Sequence, residues 1–119
     1  MLHSFIFAPL LALALLGEPK VKVENQLLDA GEVKAGKKVK VEFKITNTGN
    51  APLIIYEAST SCGCTVSKYP KKPILPNQTE IVSATYDSYK QKGYVHKTVT
   101  LTTNAEPNKT NLTIRVKVL

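Results

Sequence analysis

Two cysteines, Cys62 and Cys64, flank Gly63 and are the only thiols in the 119-residue chain. Three chemistries suit that spacing. A disulfide requires Cα atoms about 4.4–6.8 Å apart, so an i, i+2 pair must bend, which Gly63 permits. The ring would be short, constraining the unfolded chain little and leaving the bond easily reduced. Alternatively, two thiols on one side of an extended segment chelate a soft metal, with Cu(I) the fitting ion. The third reading is two small residues packed in a tight loop. The alternative copper set is Cys62, Cys64 and His96; the leading reading requires no cofactor. His96 lies between Val95 and Lys97 in an alternating run, where a lone histidine reads as a solvated strand residue. No nucleophile, base and orienting group can be assembled by spacing, so no enzyme is expected.

These residues need a frame, and the alternation supplies one. Lys20–Glu24 and Leu27–Val33 read as short strands, and Val39, Val41, Phe43 and Ile45 share one face at period two. Asn47-Thr48-Gly49-Asn50 is expected to be a tight hairpin turn between core strands, with Gly49 at positive φ. After Pro52, a strand from Leu53 to Ala58 has apolar residues on both sides and is expected to be covered on both faces. Ser59–Thr65 is small and polar, and prolines 70 and 73 mark a loop. Thr79–Asp87, a long run carrying Val95, Val99 and Leu101, and Leu112–Val118 complete about seven strands. That spacing predicts an all-β, antiparallel, immunoglobulin-like sandwich, its core centred on Phe43, the aliphatic set and Tyr86. Three formal glycosylation sequons, at Asn77, Asn108 and Asn111, read as polar turn and strand residues.

Phe5–Leu16 is an unbroken apolar run of signal-peptide length, too short to span a bilayer. Residues 1–17 are therefore expected to be an export signal, cut after Ala14 or Gly17, and 18–119 the mature domain. The expected location is periplasmic or secreted, with no stable membrane insertion after cleavage. The formal charge of +7 and pI near 9.5 admit an anionic partner. The sixteen basic residues include one arginine, Arg115, and Lys38, Lys40 and Lys44 alternate with apolar residues on a wet strand face. This argues against nucleic acid, which favours clustered arginine.

Several segments together resemble the bacterial family known as domain of unknown function 1573. They are Asp29-Ala30-Gly31-Glu32-Val33, Phe43 to Gly49 with Pro52-Leu53, Ser61-Cys62-Gly63-Cys64-Thr65, Tyr86-Asp87, and Lys97–Leu101 with Asn104. Ala30, Asn77 and Val95 depart from its pattern at packing and turn positions. The resemblance implies export and an immunoglobulin-like fold, and marks Asn47, Gly49 and Pro52 as structural turn residues. By analogy with scaffold sandwiches it implies a non-catalytic binding module whose partner is an envelope protein or a glycan. The alternative it leaves open is a periplasmic Cu(I)-binding or thiol-redox protein, as in a copper chaperone that joins a CxC motif to a similar sandwich. Oligomeric state is not legible.

Overall fold

The structure, a computed structural model, describes residues 17–61, 64–89 and 91–119, without the side chain of Ser67. The expected signal peptide, save Gly17, and the Cys62-Gly63 half of the cysteine motif lie outside the described residues.

Eight strands form two four-stranded sheets. They are β1 (Val21–Val23), β2 (Leu27–Val33), β3 (Lys38–Asn47), β4 (Ile55–Thr60), β5 (Cys64–Lys68), β6 (Thr79–Asp87), β7 (Gly93–Thr103) and β8 (Lys109–Val118). One sheet runs β1-β3-β6-β5, the other β2-β8-β7-β4. Pairing is antiparallel except between β2 and β8, which run parallel.

The period-two pattern builds the core. Val41, Phe43 and Ile45 of β3 face inward beside Val82, Ala84 and Tyr86 of β6. From the other sheet come Val99 and Leu101 of β7 and Leu112, Ile114, Val116 and Val118 of β8. Leu53 and Ile74 exchange two main-chain hydrogen bonds outside the named strands and are both buried. Lys38, Lys40 and Lys44 stand on the solvent face of β3, as their alternation predicts.

Four expectations are corrected. Strand β5 carries the second cysteine where a loop was expected, which makes eight strands among the described residues. The Asn47–Asn50 turn joins no hairpin: β3 and β4 belong to different sheets, so the chain crosses the sandwich there. Gly49 is not at positive φ; its lack of a side chain serves close approach, since a Cβ would collide with Glu18 O and lie 2.6 Å from Lys20 N. Strand β4 starts at Ile55, and Tyr56 is exposed, so that strand is covered on one face.

Candidate functional site

Among the described residues, the crossing at Asn47 is the most heavily bonded polar site. The Asn47 side chain is fully buried, and its amide uses all four hydrogen-bonding positions. Nδ2 donates to Ala51 O (2.7 Å) and Ile74 O (2.9 Å), while Oδ1 accepts from Gly49 N (2.9 Å) and Lys20 N (3.2 Å). Thr48 N donates to Lys20 O and Asn50 N to Glu18 O, zipping the first described residues onto the turn. Pro52 lies in the same crossing, its carbonyl accepting from Asn104 Nδ2 (3.1 Å), while Asn104 Oδ1 accepts from Ile54 N (2.8 Å). Asn47, Gly49 and Pro52 thus converge on one structural joint, and Asn104 is a member of it that the sequence reading matched but gave no role.

The cysteine end lies at the opposite pole. Cys64 N donates to Ser61 O (3.3 Å), tying the start of β5 to the residue that follows β4. Cys64 is a free thiol, half-buried, packed against the core and paired in register with Tyr86. Burial pushes its pKa up, partly offset by the nearby Lys97 ammonium. Tyr86 also titrates above its ordinary value, through burial first and then the Cys64 and Asp87 charges. Its hydroxyl is buried without a hydrogen-bond partner, and Lys97 Nζ stands 6.0 Å from its ring centre.

Lys97 is the functional neighbour the sequence reading missed. It interrupts the inward row Val95–Val99–Leu101, and that interruption was the available signal. Because successive strand residues face opposite ways, His96 turns to the outer face while Lys97 turns toward Cys64. The structure therefore does not bring His96 together with Cys64. A protonated, half-buried thiol beside an ammonium is a poor cation ligand, since metal binding needs the thiolate and the ammonium repels the ion.

On the outer face, His96 pairs with Arg115 and Tyr94 with Lys117 across the β7–β8 ladder. The Arg115 guanidinium lies 4.8 Å and Lys117 Nζ 5.5 Å from the Tyr94 ring centre. Tyr94 is 62% exposed, and Lys117 also reaches Glu32 at 3.6 Å. A cation–aromatic surface of this kind suits anionic groups.

Solved structures share the architecture. A protein of unknown function from Porphyromonas gingivalis W83 matches with a TM-score of 0.67 at 15% identity, over 85% of this chain and 46% of its own. A PapD-like domain of human CEP192 matches with a TM-score of 0.61 at 11% identity, over 84% of this chain and 85% of its own. The VesB protease of Vibrio cholerae matches with a TM-score of 0.59 at 14% identity, over 82% of this chain and 31% of its own. The chain thus spans less than half the length of the Porphyromonas protein and about a third of the protease. At these identities the likeness shows the fold, an immunoglobulin-like sandwich. No curated protein matches the sequence. Residues 21–118, essentially all eight strands, match the family described as protein of unknown function (DUF1573), and the chain belongs to that family.

Proposed function

We propose that this chain is an exported, non-catalytic binding or scaffolding module of the bacterial cell envelope. The observation that carries the reading is where its positioned polar groups are spent. Asn47, Asn104, Ser61 and Ser88 all bond the protein's own main chain and hold loops in place. What the domain turns outward is sheet edge, a basic surface and exposed tyrosines, the materials of association. The likeness over 85% of a PapD-like domain of human CEP192 supports reading the sandwich as a module. Export rests on the apolar run before Gly17.

The test is fractionation of a bacterium expressing the C-terminally tagged chain, followed by N-terminal mass analysis and crosslinked capture from the envelope. The expected product is periplasmic or secreted, lacks about the first 17 residues, and retains a captured partner when both cysteines are changed to serine. Cytoplasmic protein starting at Met1 would overturn the export half. Partner capture abolished by the cysteine changes, together with stoichiometric Cu(I) uptake by the reduced protein, would establish the copper or thiol-redox alternative instead.

A further inference from the structure

The ends of both sheets are protected in a revealing way. An edge strand offers unpaired N–H and C=O groups to other chains, and bulges or short length blunt it. Here β1 has only three residues, while β2, β4 and β5 are each interrupted by a register shift, the one in β2 centred on Gly31 at φ +76°. One stretch of edge escapes. Strand β7 pairs with β8 in unbroken register from Gly93 to Thr102, whereas β4 accompanies it only as far as Thr60 opposite Val99. Ser61 then bonds the last position: its N–H donates to Thr98 O, and its hydroxyl accepts from Thr98 N.

The Thr98 N–H and C=O therefore point toward the β4 side, and by alternation so do those of Tyr94 and His96. Among the described residues, none pairs with these four groups. The surroundings choose the occupant. Lys97 projects inward beside this edge, Arg115 and Lys117 flank Tyr94 on the outer face, and Lys92 precedes the strand. An inward lysine opposes an apolar strand, and the chain's charge of +7 opposes a second copy of itself. A polysaccharide would meet the cations but could not match main-chain groups at strand spacing.

Resting on the binding-module reading, we infer that the β7 edge at Tyr94–His96 takes an extended acidic peptide segment of a partner protein as an added strand. The main chain supplies register, a face of carboxylates on alternate residues meets Lys97, and the opposite face turns toward Tyr94.

The probe is a labelled, acetylated peptide of alternating valine and aspartate, titrated by fluorescence anisotropy against the purified chain. Saturable binding is expected, weakened at least tenfold by three changes. These are N-methylation of alternate peptide nitrogens, exchange of aspartate for lysine, and His96→Pro, whose lost N–H belongs to the free side and not to the β8 ladder. The first two need no altered protein, so they decide the matter even if His96→Pro fails to fold. Binding indifferent to N-methylation and matched by heparin would overturn the inference in favour of a polyanion surface. Equal affinity for the lysine peptide, self-association blocked by His96→Pro, or no peptide binding at millimolar concentration would also overturn it. Envelope capture undiminished in a folded His96→Pro protein would defeat the edge inference while leaving the module reading standing. Peptide binding by a chain that remains cytoplasmic would do the reverse.

Discussion

Asn47→Ala tests the joint on which both sheets depend. The substitution removes four hydrogen bonds at one buried position. Ile74 O keeps its bond from Leu53 N, so its loss is small. Lys20 N, Gly49 N and Ala51 O lose the side-chain contact that satisfies them, in partly buried surroundings. At roughly 1–1.5 kcal/mol for each stranded group, the expected loss is about 3–5 kcal/mol. That is a large share of the roughly 5–15 kcal/mol available to a domain of this size. Urea unfolding followed by circular dichroism measures it, with an unchanged m-value showing that the denatured state is not the cause. Asn47→Asp is the sharper control. It keeps both acceptor contacts but sets a carboxylate against the Ala51 and Ile74 carbonyls. Protonation restores one donor, so this variant should gain stability as pH falls, relative to the parent. A loss below about 1 kcal/mol for Asn47→Ala, or no acid recovery for Asn47→Asp, would refute the role given to the amide.

The other expectations are more local. Gly49→Ala should cost about 2–3 kcal/mol, because the new Cβ meets the main chain of Glu18 to Lys20; a neutral result in urea unfolding would show that the N-terminal strand shifts freely. Phe43→Ala should cost about 3–5 kcal/mol, since its side chain is almost wholly buried at the centre of β3; a change under about 1 kcal/mol would contradict the register of that strand. Cys62→Ser with Cys64→Ser should leave a folded sandwich weakened by at most about 2 kcal/mol, and loss of the β signal in circular dichroism at room temperature would refute this. Tyr86→Phe should not lower stability at pH 7, because the hydroxyl has no partner to lose. Tyr86 and the reduced Cys64 both have folded pKa values raised above their ordinary 10.0 and 9.0. Their contribution is complete below those ordinary values and lost as pH rises through the folded ones, so Tyr86→Phe should flatten the alkaline decline in urea midpoint, and an identical decline would oppose the assignment.

Strands β3, β6, β7 and β8 were legible because each runs long enough for period two to show, with apolar residues committed to one face. Strand β5 was not. Its five residues hold one aliphatic side chain, and its extended form comes from pairing Cys64 with Tyr86 and Val66 with Ala84, partners some twenty residues away. The turn at Asn47 showed the right residue types and the wrong topology. Asparagine and glycine signal a tight reversal, but what Gly49 accommodates is the main chain of Glu18 to Lys20, contacts local propensity does not contain. The same holds for the parallel β2–β8 pair, which joins opposite ends of the chain. At the cysteine end, alternation was enough to separate His96 from Lys97, yet only the position of β5 shows which of them meets the thiol.

That position changes what the Ser-Cys-Gly-Cys-Thr segment must accomplish. It lies between the β4 edge of one sheet and the β5 edge of the other, and Cys64 N donates to Ser61 O. The polar neighbours do the holding: Thr60 Oγ1 donates to Cys64 O at 2.9 Å, and Ser61 engages Thr98 from both its amide and its hydroxyl. None of these bonds uses sulfur. Among the described residues, β4 accompanies β7 no further than Thr60, and Lys97 stands beside the stretch of β7 beyond it. A thiol suits the inward position at Cys64 because it is small and weakly polar, fitting a half-buried site against the core without demanding a hydrogen bond. The bonds of Thr60 and Ser61 link the described ends of the motif to the proposed binding edge. Changing Ser61, which ends the ladder, should disturb peptide binding more than changing either cysteine.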